Sequence, residues 1–334
     1  AFISAQNFVD VNWATGYDDN GRPMEISEAE YKSGAYEAIP GPNGAHNWHP
    51  MSYSPSTGLV YIPAQNKPVV FEDDPNWVAN SSESGGLQSG TGWNTGMLPS
   101  FVPGKSAIFG QLLAWDPVKQ KEAWRVEHIG PNNGGTLSTA GNLVFQGTAD
   151  GRLVAYNAPN GVKLWEVPVG TGVIAAPVTY EVDGKQYVSI AAGWGGMLGL
   201  RTHLSESQSP GRIFTFTLDG NAPLPDFEIV KAKPIVSGVP YNPQDISAGA
   251  KLYISHCVLC HGVPAVDNGG AIPNLGYSDK VKIENLKNFV LTDALKELGM
   301  PNFTGKLTEN DVTKIQAFIQ GTADAVSAQL AASK

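Results

Sequence analysis

The chain has 334 residues, 42% of them apolar and 16% charged, which is enough for about two domains with adequate cores. No stretch reaches the ~18 consecutive apolar residues that a membrane-spanning helix needs, so no membrane span is expected. The 22 Lys and Arg against 31 Asp and Glu leave a net charge of −9, the wrong sign for neutralising phosphates, so nucleic acid is not an expected partner.

The opening residues, Ala1 to Asn7, contain no Met, no basic region and no apolar run before a small-residue cleavage site, so no targeting segment is expected in them. Downstream, 38 Gly, 24 Pro and eight Trp suggest many short strands joined by tight turns. Runs such as Gly58–Ile62, Asn142–Phe145, Arg152–Tyr156 and Gln186–Ile190 are rich in Val, Ile and aromatics and are bounded by turn residues, as strands are. The segment Ala114–Trp124 is echoed by Ala155–Trp165, with the two closing tryptophans 41 residues apart. Periods of ~40–50 residues are typical of propeller blades, each a four-strand unit that cannot bury its face alone. A β-sandwich with a duplicated hairpin would explain the same two copies.

All eight Trp lie before residue 195, and from Ile246 onward eight Lys balance eight acidic residues, so the whole net charge belongs to the first region. Between the two regions, prolines at 223, 225, 234, 240 and 243 remove donors and favour extended backbone. The expected organisation is a β portion over 1–220, a Pro-rich linker over 221–245 and a helical domain over 246–334. In that last domain Ile246, Ala250, Tyr253 and Ile254 share one helical face, as do Val312, Ile315 and Ile319 behind a Thr308–Asp311 capping pattern.

The two cysteines of the chain sit in Cys257-Val-Leu-Cys260-His261, the C-x-x-C-H pattern of c-type haem attachment. Thiols three residues apart can bond the two vinyl groups of one porphyrin, while the adjacent imidazole reaches the iron. A redox dithiol would need a βαβ setting, and a zinc site a second ligand pair, and neither is visible. Met300 is the one methionine after His261, in a Gly- and Pro-containing loop suited to presenting sulfur as the sixth iron ligand. No histidine follows His261 to compete. The carbonyl of Pro273 is a candidate acceptor for the His261 imidazole N–H.

The Ala114–Trp124 and Ala155–Trp165 copies look like the tryptophan-docking motifs of propeller quinoproteins. With the C-x-x-C-H domain behind a Pro-rich linker, and with Ile3–Phe8, His46–Met51 and Gly193–Gly196, the chain resembles the C-terminal half of quinohaemoprotein alcohol dehydrogenases that use pyrroloquinoline quinone (PQQ). The resemblance implies a multidomain fold: part of an eight-bladed all-β propeller, followed by an all-α cytochrome c domain. It also implies oxidation of a small alcohol at a PQQ/calcium centre, electron transfer to a covalently bound haem c, and delivery to an external acceptor such as a copper protein or cytochrome in the periplasm. The ligand set it implies is Cys257 and Cys260 as covalent haem anchors, His261 and Met300 on the iron, and Asn47, Trp48 and Met197 against the quinone. Trp93 is expected to pack in a blade connection, and Asn80–Ser82 is read as an incidental glycosylation pattern. The catalytic aspartate and the calcium ligands would lie in an N-terminal propeller segment outside this chain, so no catalytic residue is assigned within it. The alternative is a c-type electron-transfer domain on a non-catalytic β scaffold.

Overall fold

The computed structural model describes residues 2–73, 97–99, 105–193, 204, 211–227, 234–266 and 272–332. Two compact units divide within the Pro-rich stretch. Trp77, Asn80–Ser82, Trp93 and the segment Trp194–Met197 lie outside the described residues.

The first unit is built of antiparallel sheets. Strands β1 (Ala14–Tyr17) and β2 (Pro23–Glu25) form a hairpin, and β3 (Tyr36–Ala38), β6 (Val69–Asp73) and β7 (Met97–Pro99) form a small sheet. Two four-stranded sheets follow. One is β4 (Ser52–Ser54), β5 (Leu59–Asn66), β8 (Phe109–Asp116) and β9 (Lys121–His128); the other is β10 (Thr136–Ser138), β11 (Leu143–Gly147), β12 (Arg152–Asn157) and β13 (Lys163–Pro168). A third sheet holds β14 (Val178–Val182), β15 (Lys185–Ala192) and β16 (Arg212–Phe216).

The sequence repeat is the outer hairpin of the two four-stranded sheets. Ala114 pairs with Trp124 and Ala155 with Trp165, and the register slips at the same place in both, just after the alanine. Asp116 closes the first turn by accepting from the N–H groups of Val118 and Lys119, an Asx turn. Asn160 does the same for Val162 in the second.

Trp124 then ties one sheet to the next. Its indole N–H donates to the Ala158 carbonyl at 3.0 Å, and the Tyr61 hydroxyl donates to the same oxygen at 3.0 Å. Gly161 lies beneath the ring with φ +73°, and a Cβ there would come within 2.6 Å of the indole. Leu59, Tyr61, Leu112, Ala114 and Trp124 of the first sheet thus share one core with Val144, Val154, Tyr156 and Ala158 of the second. The opposite face of the second sheet, through Phe145, Leu153 and Ala155, packs on Ile190, Ala192 and Phe214 of the third. Consecutive sheets packed face to face in this way are propeller geometry rather than a two-layer sandwich.

Among the described residues, the second unit has four α-helices: α1 (Ile246–His256), α2 (Val258–His261), α3 (Ile283–Leu291) and α4 (Glu309–Ala332). The expected capping box is present, with Asp311 accepting from the Thr308 N–H and the Thr308 hydroxyl accepting from the Asp311 N–H. Tyr253, Val312, Ile315 and Ile319 are fully buried in one core with Leu286, Val290, Phe303 and Leu307. Helix α1 presses so closely on α4 that a Cβ on Gly249 would lie 1.8 Å from the Lys314 carbonyl oxygen. A backbone oxygen cannot rotate away, so Gly249→Ala is expected to destabilise this unit by about 1–3 kcal/mol, outweighing the ~1 kcal/mol gain in helix propensity. Thermal denaturation checks this, and an unchanged midpoint would show that the helices can part at no cost.

Candidate cofactor site

Helix α1 stops at His256, where Cys257 leaves helical geometry (φ −122°, ψ −37°), and α2 restarts immediately. The Cys257 carbonyl accepts from the N–H groups of Cys260 and His261 at 3.2 and 2.9 Å, so both cysteines and the histidine fall within one turn. No disulfide joins the two cysteines. Burial, with Cys260 beside it, pushes the Cys257 thiol up to about 12, while Cys260 is exposed.

His261 is held by its far nitrogen. Nδ1 lies 2.7 Å from the Pro273 carbonyl oxygen, the contact expected from the sequence. A carbonyl can only accept, so Nδ1 carries the proton and Nε2 keeps its lone pair. Burial draws the imidazole below its ordinary value against the opposing pull of that bond, which favours the neutral ring a metal ligand must be.

Neighbouring groups make Pro273 a fixed point. The buried Asn274 side chain accepts from the N–H groups of Ala265 and Gly276, both at 2.9 Å, and donates to the Val263 carbonyl at 2.8 Å. The Tyr253 hydroxyl donates to the Gly262 carbonyl at 2.8 Å. A Cβ on Gly276 would lie 2.2 Å from the Ala265 nitrogen. The helical periodicity puts Tyr253 on one helix face, and Asn274, directly after a loop proline, is marked in the sequence only as a turn residue.

Met300 is half-buried in irregular backbone, and it borders the same apolar cluster as Cys257, Val258 and Leu275. Val266, Ile272 and Leu298 nearby in sequence are exposed apolar side chains. Two thiols, a neutral imidazole with a free Nε2 and a thioether bordering one apolar cluster form a donor set that fits haem c. It does not fit zinc, because among the described residues no three His, Cys, Asp or Glu side chains gather around a common point.

In the first unit, the Asn47 amide donates to the Asn43 carbonyl at 2.9 Å and accepts from the Trp48 N–H at 2.9 Å. One N–H and one lone pair of that amide remain for a ligand. Trp48 is 60% exposed in this chain, and it stacks on His49 with ring centroids 4.2 Å apart at 22°. An indole backed on one side and open on the other suits a planar ligand. His46, Asn47, His49, Gln65, Asn132 and Asn133 line a polar cavity of about 10 Å³, and His49 Nε2 and Gln65 Oε1 are buried there without partners among the described residues. His49 lies within the His46–Met51 segment but no role is read for it from the sequence, and Gln65 carries no sequence signal. Met197, the third expected quinone contact, lies outside the described residues.

The family described as glucose/ethanol/alcohol dehydrogenase, beta-propeller domain, matches residues 29–188, and that described as cytochrome C oxidase, cbb3-type, subunit III, matches residues 244–319. The quinohemoprotein alcohol dehydrogenase of Comamonas testosteroni is 59% identical over 97% of this chain and 46% of its own length. The 1-butanol dehydrogenase (cytochrome c) of Thauera butanivorans is 58% identical over 97% of this chain and 47% of its own. The crystal structure of the Comamonas protein superposes with a TM-score of 0.87, covering 97% of this chain and 48% of that one. The chain therefore spans about half the length of the curated relatives it matches, and its fold is a PQQ-type propeller portion followed by a cytochrome c domain.

Burial pulls His49 from 6.5 to about 4, so the fold holds this ring neutral. Stability tied to it is present above pH 6.5 and is lost as the pH falls towards 4, because the unfolded chain takes up the proton first. His49→Phe keeps a ring beneath Trp48 and is expected to flatten that part of the pH dependence. Denaturation midpoints between pH 7 and 4 check this, and parallel curves for the two proteins would contradict it.

Proposed function

We propose that this chain, similar over 97% of its length to quinohemoprotein alcohol dehydrogenases, is the part of such an enzyme that carries its haem c and one side of its quinone site. The observation that supports the haem reading best is the His261 Nδ1 contact with Pro273, which leaves Nε2 as the metal-binding atom directly after the two thiols. Cys257 and Cys260 would anchor the porphyrin through thioether bonds, and His261 Nε2 and the Met300 sulfur would hold its iron. Asn47 would hydrogen-bond the quinone, Trp48 would cover its face, and Met197 would touch its edge. Bound PQQ with calcium supplies two-electron oxidation of an alcohol, and haem c supplies one-electron transfer.

Several roles fall to the rest of the enzyme. The calcium ligands and the carboxylate that removes the alcohol proton would come from a propeller segment N-terminal to this chain, which is its expected partner. The name of the Thauera relative, 1-butanol dehydrogenase (cytochrome c), makes a short primary alcohol the first substrate to test. Electrons would leave to a copper protein or cytochrome. Thioether attachment of haem takes place outside the cytoplasm, and the C-x-x-C-H pattern therefore supports the periplasm as the compartment of the assembled protein.

Two substitutions test the ligand roles. Met300→Ala is expected to lower the haem reduction potential and abolish sulfur-to-iron charge-transfer absorption, since an axial thioether raises the potential; an unchanged spectrum and potential would remove Met300 from the iron. Asn47→Ala in the assembled enzyme is expected to weaken quinone retention by about tenfold, the loss of one hydrogen bond of ~1.5 kcal/mol. Equilibrium dialysis measures this, and undiminished quinone content would take Asn47 out of the site.

A further inference from the structure

Among the described residues of the second unit Gln320, on α4, is the most deeply buried polar side chain, 1% exposed. Burying a primary amide costs free energy unless its hydrogen bonds are made. Its Nε2 donates to the Val236 carbonyl at 3.1 Å and to Asp324 Oδ1 at 2.8 Å. The same Asp324 oxygen accepts from the Gly238 N–H at 2.9 Å. Two side chains one helical turn apart thus grip the Pro-rich linker at Val236 and Gly238.

The gripped residue leads on to the histidine. The Val236 N–H donates to the Gly276 carbonyl at 2.9 Å, so one backbone group of Val236 is spent on α4 and the other on Gly276. Gly276 is in turn hemmed in: a Cβ on it would lie 2.2 Å from the Ala265 nitrogen, and its own N–H donates to the Asn274 side chain at 2.9 Å. Asn274 directly follows Pro273, whose carbonyl oxygen lies 2.7 Å from His261 Nδ1.

Apolar packing does not call for an amide at this position. Val312, Ile315 and Ile319 already supply the core face of α4, and a Met or Leu at 320 would bury as much carbon with no desolvation cost. What the amide adds is a donor for the Val236 carbonyl. Without it that carbonyl loses a buried partner, and the linker strand loses its fixed position against Gly276.

We propose that Gln320 is a positioning residue for the His261 ligand: by holding Val236 on Gly276, it keeps the Pro273 carbonyl against the Nδ1 proton and so tunes the basicity of Nε2. A hydrogen bond at the far nitrogen makes an imidazole the stronger donor to a metal, and a stronger donor favours ferric over ferrous iron. Loosening the contact therefore raises the reduction potential, opposite in sign to the loss of an axial thioether. The inference rests on the reading of this unit as a haem c carrier, but not on the quinone or the alcohol chemistry.

Redox titration of the haem spectrum in the assembled, haem-loaded protein tests this without an activity readout. Gln320→Met keeps the volume and removes the donor; it is expected to shift the ferric–ferrous equilibrium at least about threefold towards ferrous, roughly 28 mV at 59 mV per tenfold for one electron. A second pair guards against a variant that does not fold. Asp324→Asn and Asp324→Ala remove the same charge, but Asn keeps an oxygen for the Gly238 and Gln320 donors, so the Ala variant is expected to have the higher potential of the two. A Gln320→Met protein that melts earlier at an unchanged or lowered potential would show a packing role and overturn the proposal. Should that variant not be recovered folded, equal potentials in the two Asp324 variants would overturn it. Wild-type protein without haem would instead remove the haem reading, and this inference with it.

Discussion

One hydrogen bond, from Nδ1 of His261 to the Pro273 carbonyl oxygen, determines which imidazole nitrogen is free. Its partners explain why it holds. Asn274 ties the chain on both sides of the intervening loop, Tyr253 fixes the backbone just after α2, and Gly276 permits a backbone approach that any side chain would block. None of these groups would need to touch a cofactor. They fix the angle at which the histidine side chain leaves α2, and such outer contacts set both the tautomer and the basicity of a ligand.

The propeller portion is held by a different, repeated device. A tryptophan on the outer strand of one sheet closes on the third-to-fourth-strand turn of the next, with a carbonyl for its N–H and a glycine for its ring. The device needs a complete neighbour, so it is finished at Trp124 and unfinished at Trp165. Among the described residues, β16 pairs along one edge alone.

Legibility in the sequence followed the range of the interactions. The C-x-x-C-H turn, the Thr308–Asp311 cap and the paired hairpins at Trp124 and Trp165 are local, and each has its own residue signature. The His261–Pro273 contact spans 12 residues and was still legible, because a haem-ligating histidine needs an acceptor and a proline carbonyl was at hand. By contrast, the exposure of Trp48, the burial of His49 and Gln65 and the role of Gly249 depend on backbone meeting backbone from distant segments. The pairing of β5 with β8 across a long excursion was likewise invisible, because register between distant strands is set by packing rather than by either strand alone.

The central claim is that this chain belongs to an alcohol-oxidising assembly that empties into its own haem. The most direct measurement is the visible spectrum of the assembled protein, loaded with PQQ and calcium, on anaerobic addition of a short primary alcohol. The account predicts that the ferric haem becomes reduced, and that no reduction occurs when the quinone is withheld. A haem that dithionite reduces but alcohol leaves ferric, in protein shown to contain the quinone, would contradict it and favour an electron carrier on a β scaffold.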